Sequence, residues 1–240
     1  MLSEQVIERF ILKYIDNGDV VSVGTSKAGE VFLKKLALAL ELEHIPLDSI
    51  EFIPTSTSLA VIARQLGIPI VSINDREIDF AVEFVDQVDH QFNFVKRNSY
   101  SLVRDKMIAQ SAHTLMVVAE EKNFVKKIRG KIPFEIAFFG WKRTVHQLEA
   151  FGHARLRADG EKKFKTETGH YIVDVECDQI FSLEDLEFKA KEIPGVLETG
   201  VFLGYADKVV LHDGTVRVLD RTDYSKNYHK GPEWAHLLKA

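Results

Sequence analysis

DFAVEFVDQVDHQFNFVKRNSYSLVRDK, residues 79–106, joins a strand-like run to a helical one and concentrates charge at the junction. Residues 79–85 are apolar apart from Asp79 and Glu83, and Asp86 and Asp89 follow. Lys96 comes next, and Arg104-Asp105-Lys106 falls inside a helical pattern over 100–111. Carboxylates and a lysine brought together by a strand and the helix after it are the raw material for proton transfer beside a carbonyl. A plainer reading stands beside that one. A strand-end carboxylate is commonly a solvated loop residue, and an acid between Arg104 and Lys106 is the pattern of an exposed helix face.

Outward from this stretch, strands and helices alternate. Residues 4–15 have apolar positions at helical spacing, and Gly18 suits the C-terminal cap. Residues 20–23 read as a buried strand, 28–42 as a helix, 50–53 as a strand, 56–66 as a helix and 68–73 as a strand. Residues 114–119 supply a further strand after the 100–111 helix. This alternation predicts an α/β protein with a doubly wound, mostly parallel sheet. After Lys122 the pattern changes. Strands over 133–139, 154–157 and 171–177, helices over 144–151 and 183–193, and a last strand near 200–203 follow the order of a split βαβ, ferredoxin-like unit. Residues 208–211 and 215–219 form a hairpin over Asp213-Gly214 that returns to the first sheet. The expected division is a large α/β domain over 1–128 and 205–222, an inserted small α+β domain over 129–204, and a tail over 223–240.

Composition excludes more than it names. The 240 residues carry a net charge of -5 with both signs mixed, and no basic stripe points to nucleic acid. No run of about 18 apolar residues suggests a membrane span. The single Cys177 permits no internal disulfide and fits a reducing, cytoplasmic compartment. Its place among alternating apolar residues makes it a small buried side chain. The nine histidines show no metal-ligand spacing, and Asp86, Asp89 and His90 lack further ligands for a cation, so no metal is expected. The aromatic run over 134–141 and the late cluster Trp234, Leu237 and Leu238 call for burial, in the core or against another subunit.

The segment Gly24-Thr25-Ser26-Lys27 joins the first strand to the next helix. Unpaired N–H groups at such a helix start suit phosphate. Thr25 or Ser26 equally suits a plain helix cap.

Together these motifs resemble the ribose-5-phosphate isomerase A family. There the strand ends in Asp-Gly-Ala-Asp-Glu, a Lys-Gly-Gly-Gly turn follows, and Arg-Glu-Lys opens the helix. This chain has Glu83-Phe84-Val85-Asp86-Gln87, Lys96-Arg97-Asn98-Ser99 and Arg104-Asp105-Lys106 at the same spacing. The family's Gly-Thr-Gly-Ser-Thr phosphate loop is matched at Gly24 and Thr25, with Ser26, Lys27 and Ala28 in the changed places. Pro54-Thr55-Ser56, Pro133-Phe134-Glu135, Arg157, Thr166–His170, Ile193-Pro194-Gly195-Val196 and Gly200-Val201-Phe202 extend the likeness across about residues 4–219. The family's Ser-Lys after the 114–119 strand becomes Lys122-Asn123.

The resemblance implies interconversion of ribose 5-phosphate and ribulose 5-phosphate without a metal or organic cofactor. It implies that Asp105 moves the proton between sugar carbons, that Glu83 and Asp86 handle hydroxyl and ring-opening protons, and that Lys96 offsets the enediolate charge. Gly24, Thr25, Ser26, Lys27 and Ser56 would hold the phosphosugar. The aromatic run over 134–141 and the late apolar cluster predict a homodimer or homotetramer joined through the small domain and the tail. The departures leave two other readings open: a non-catalytic sugar-phosphate sensor, or an isomerase for a different phosphosugar. Glu83 is one methylene longer than the family residue and Asp105 one shorter. Phe84, Val85, Arg97, Asn98 and Ser99 stand where glycines or alanine allow close backbone approach.

Overall fold

The structure is a computed structural model that describes residues 12–177 and 180–221. After a short 3-10 turn at Leu12–Tyr14 come β1 (Val20–Val23), α1 (Lys27–Leu42), β2 (Glu51–Pro54), α2 (Thr57–Leu66) and β3 (Ile78–Phe84). Short strands β4 (Gln87–Asp89) and β5 (Phe94–Val95) precede α3 (Leu102–Ser111), β6 (Ala112–Glu120) and β7 (Phe124–Val125). Next are β8 (Lys131–Ile136), α4 (Trp141–Leu148), β9 (Gly152–Leu156), the small hairpin β10 (Ala158–Asp159) and β11 (Lys162–Lys163), and β12 (Tyr171–Cys177). The last elements are α5 (Leu183–Lys191), β13 (Val196–Thr199), β14 (Val201–Phe202), β15 (Lys208–His212) and β16 (Val216–Asp220).

The main sheet has the order β16-β15-β6-β3-β1-β2 and is parallel except for β16, which pairs antiparallel with β15. Both faces of its centre are covered, so β1 and most of β3 and β6 are buried, while the edge strand β16 is not. Val21, Val23, Phe80 and Val82 pack on one face with Phe32 and Leu36 of α1 and Leu59 of α2. Val20, Ala81, Leu115 and Val117 pack on the other with Ile108 and Ala109 of α3. The chain therefore winds outward in opposite directions from β1 and β3, and the gap between them is a topological switch point, where α/β sheets bind ligands.

A second sheet, β13-β8-β12-β9, is antiparallel throughout. Its βαββαβ order is that of the ferredoxin-like unit. Its core joins Ile132, Phe134, Val173 and Val175 to Leu148 and Leu186.

Several expectations shift. Residues 68–73 form only a single bridge, Ile70 to Phe52, because Pro69 has no N–H to extend a ladder at this edge. The closing strand of the ferredoxin-like unit is β13, not 200–203. Gly200 approaches Pro133 too closely for a side chain, and β14 beyond it turns away to pair with β5. A third sheet, β14-β5-β4-β7, has no counterpart in the sequence reading. Phe134 is buried, whereas Phe138 and Phe139 are exposed. Most of the helix read over 4–15, and Trp234, Leu237 and Leu238, lie outside the described residues.

Candidate active site

β3 alternates its side chains between the two faces. Phe84 leans on Phe32 of α1, with ring centroids 5.5 Å apart, and Glu83 turns to the face covered by α3. Val82 of β3 sits opposite Val23 of β1, and the Gly24 N–H donates to Val82 O. Glu83 therefore lies beside Gly24. A Cβ on Gly24 would fall 1.8 Å from Glu83 Oε2, so only glycine leaves this carboxylate its place. Gly24 is required here for space.

Lys96, in the segment after β5, donates to Glu83 Oε2 at 2.5 Å and stands 2.6 Å from Asp105 Oδ2. Asp105 lies in the first turn of α3, where a negative charge meets the positive helix end. Its Oδ1 accepts the Thr25 N–H at 2.7 Å, and its Oδ2 accepts the Thr25 hydroxyl at 2.8 Å and the Ser99 hydroxyl at 2.6 Å. Glu83, Lys96 and Asp105 thus form one cluster, 0%, 1% and 0% exposed. Two carboxylates share one ammonium, so one of them must hold a proton if the charge is to balance. Burial pushes Glu83 up to about 8; Lys96 pulls against this and Asp105 adds to it. Glu83 Oε1 is buried without a hydrogen-bond partner. Burial alone would lower Lys96, but Asp105 and Glu83 outweigh it and hold the ammonium above its ordinary value.

Asp86 does not join this cluster. Its Oδ2 accepts the Arg97 N–H at 2.6 Å and its Oδ1 accepts from Asn98 Nδ2 at 3.0 Å, so it braces the segment that carries Lys96. Arg97 reaches away, to the carbonyls of Lys131 (2.8 Å) and Arg129 (2.6 Å). Arg157 holds the same segment from the second sheet. It grips Asp174 with two bonds, of 2.6 and 3.0 Å, and donates to Arg97 O at 2.6 Å and Ser99 O at 3.1 Å.

The Gly24–Lys27 turn is divided between two tasks. Thr25 binds Asp105. Ser26 caps α1 by accepting from the Gly29 N–H at 3.0 Å. Ser56 caps α2 in the same way, accepting from the Leu59 N–H at 3.2 Å. Lys27 extends to Glu30 at 2.8 Å, with 81% of its side chain exposed. The first N–H groups of α1 have no partner inside the helix. A cavity of about 360 Å³ opens there, at the carboxyl ends of β3 and β6, bordered by Lys27, Ala28, Phe84, Asp86 and Asn123. Lys122 turns instead to Glu120. A second cavity, of about 490 Å³, is bordered by Lys27, Asn98, Ser99, Tyr100, Lys131 and Arg157. Ser99, in its wall, donates to Asp105 of the acid–lysine cluster.

Arg104, Asp105 and Lys106 leave α3 in three directions. Arg104 donates to Thr55 O at 3.0 Å and Glu167 O at 3.2 Å. Lys106 is buried against Glu187 (2.6 Å), Glu198 (2.7 Å) and Val201 O (2.7 Å). The helix start is closed by Glu135 of β8, whose Oε2 accepts the Val103 N–H at 3.0 Å. These anchors, and Ser99, carry no local sequence signal. Each reaches a partner distant in the chain, apart from the Ser99–Asp105 contact, whose spacing of six fits neither a helix nor a strand.

A doubly wound sheet with a buried acid–lysine cluster at its switch point defines this α/β protein. A sequence model of ribose 5-phosphate isomerase A (phosphoriboisomerase A) matches residues 51–215. Ribose-5-phosphate isomerase A 2 of Oceanobacillus iheyensis is 32% identical over 222 residues, covering 91% of this chain and 98% of that protein. A D-ribose-5-phosphate isomerase solved in complex with phospho-erythronic acid superposes with a TM-score of 0.81 at 30% identity, over 91% of this chain and 97% of the other. Ribose 5-phosphate isomerase A from Methanocaldococcus jannaschii superposes with a TM-score of 0.80 at 25% identity, over 91% and 98% of the two chains. This chain belongs to the ribose-5-phosphate isomerase A family. No helix among the described residues is long and apolar enough to cross a membrane.

Proposed function

We propose that the protein interconverts ribose 5-phosphate and ribulose 5-phosphate. The observation that carries this reading is the convergence of Glu83, Lys96 and Asp105 at the switch point of a sheet whose family is one of isomerases. Aldose-to-ketose conversion moves one proton from C2 to C1 and another from the C2 hydroxyl to the C1 oxygen. Asp105 takes the carbon proton and returns it to the neighbouring carbon. Lys96 offsets the negative charge that develops on oxygen between the two transfers, a task for which a fixed, dehydrated cation is suited. Glu83 holds a proton near neutral pH and supplies the oxygen transfer, giving its proton to one oxygen and recovering one from the other. Lys27 and the open N–H groups of α1 take the phosphate.

The cluster is closed, so the segment 96–100 or the turn at Thr25 moves aside when the sugar enters. The same closure favours a second reading, in which the chain binds a phosphosugar without turning it over. Proton exchange separates the two. Ribose 5-phosphate incubated with the protein in heavy water gains deuterium at C1 of the ketose if Asp105 works as a base. Binding by calorimetry without exchange or ketose formation leaves the sensor reading standing and removes the isomerase one.

A further inference from the structure

We propose that Ser99 is a positioning residue for Asp105, and that the two side chains form a matched pair in which the serine takes up the length the aspartate lacks. The catalytic consequence rests on the isomerase reading; the pairing rests on geometry alone.

A hydroxyl has one proton and two acceptor sites. The Ser101 N–H reaches Ser99 Oγ at 3.0 Å and Thr25 Oγ1 at 3.2 Å, and the Tyr100 N–H reaches Thr25 Oγ1 at 2.9 Å. Backbone donors thus fill both acceptor sites of Thr25, so the Ser99 proton cannot turn to Thr25 and is left to point at Asp105 Oδ2, 2.6 Å away. The Thr25 proton has Asp105 Oδ2 at 2.8 Å and Ser99 Oγ at 3.0 Å within reach. With Lys96 at 2.6 Å, Oδ2 lies within hydrogen-bond distance of three donor groups. Oδ1 receives only the Thr25 N–H. An ionised carboxylate has about four acceptor sites, so the remaining capacity lies on Oδ1. Ser99 therefore fixes which oxygen of Asp105 is free to take a carbon proton.

Space gives the same pairing. Ser99, Thr25, Lys96 and Asp105 are all 0–1% exposed. A glutamate at 105 would drive its carboxylate roughly 1.5 Å, one C–C bond, into that shell. Removing the Ser99 side chain opens the volume such a glutamate needs. A serine in place of glycine and an aspartate in place of glutamate are then one change made at two positions.

The test uses the full chain as wild type, Ser99→Gly, Asp105→Glu and the double variant. In urea unfolding, Asp105→Glu lowers the midpoint, and the double variant recovers at least half of that loss. Additive losses overturn the pairing. If Asp105→Glu alone does not fold, a folded double variant supports it and an unfolded one overturns it. In turnover of ribose 5-phosphate, Ser99→Ala lowers kcat at least tenfold with KM within twofold, and Ser99→Thr, which keeps the hydroxyl, retains most of kcat. An unchanged kcat in Ser99→Ala overturns the positioning role. If the wild type forms no ketose, the isomerase reading fails, and the unfolding cycle still decides the pairing.

Discussion

Gly24→Ala probes the tightest contact in the cluster. A Cβ at this position meets Glu83 Oε2 at 1.8 Å, Cδ at 2.1 Å and Oε1 at 2.3 Å, so the whole carboxyl group must leave. Its departure breaks the 2.5 Å contact with Lys96 inside a site closed to water. Losing a hydrogen bond to a charged group costs about 1.5–3 kcal/mol, and forced repacking costs about 1–3 kcal/mol more. We expect Gly24→Ala to destabilise the protein by about 3–5 kcal/mol, a large share of the roughly 5–15 kcal/mol that holds a typical domain together. The reasoning turns on Glu83 rather than on backbone conformation, since Gly24 does not occupy the left-handed region. In a Glu83→Ala background the obstacle is gone and Lys96 still has Asp105. There Gly24→Ala should cost less than about 1 kcal/mol, giving a coupling energy of at least about 2 kcal/mol, near the upper range for residues in contact. Urea denaturation of the four proteins at one pH measures it. Costs that add to within about 0.5 kcal/mol would refute the placement of Glu83 against Gly24.

Three further outcomes are expected. Between the ordinary carboxylate value of 4.5 and about 8, the native protein keeps a proton on Glu83 that the unfolded chain has released. Stability therefore falls as pH rises through that window, by at most about 5 kcal/mol at 1.36 kcal/mol per unit, and Glu83→Gln should flatten the fall in urea midpoints measured from pH 5 to 8. The raised Lys96 acts in the same sense but only above its ordinary value of 10.5, outside this window. Lys106→Met leaves Glu187 and Glu198 facing each other without their shared cation. A loss of about 3–5 kcal/mol in unfolding free energy is expected, and a loss below about 1 kcal/mol would mean the contact is not formed. Lys27→Ala should weaken phosphosugar binding about fivefold in calorimetry with the melting temperature unchanged, because its exposed bond to Glu30 contributes little to folding; unchanged affinity would remove Lys27 from the phosphate site.

Periodicity alone determined most of the main sheet. Residues 20–23, 79–85 and 114–119 read as buried strands because a parallel sheet covered on both faces needs unbroken apolar runs, and such runs are local. The hairpin over Asp213-Gly214 and the βαββαβ order were legible for the same reason. The motif spacing from Glu83 to Lys106 was enough to indicate the family. The tertiary structure alone decided what those residues touch. The sheet of β4, β5, β7 and β14 is built from two- and three-residue strands, too short to show a period, and its pairings join residues as far apart as Phe94 and Phe202. The Arg104-Asp105-Lys106 triplet reads as a solvated helix face, yet Asp105 and Lys106 are buried, because Lys96 and the second sheet's Glu198 supply opposite charges from elsewhere in the chain. Asp86, in register with an expected site residue, braces a turn, while Ser99, placed among lost glycines, donates to Asp105. A side chain's chemistry is written in the sequence. Its partner, and hence its charge state and role, depends on which distant segments the folded chain packs against it.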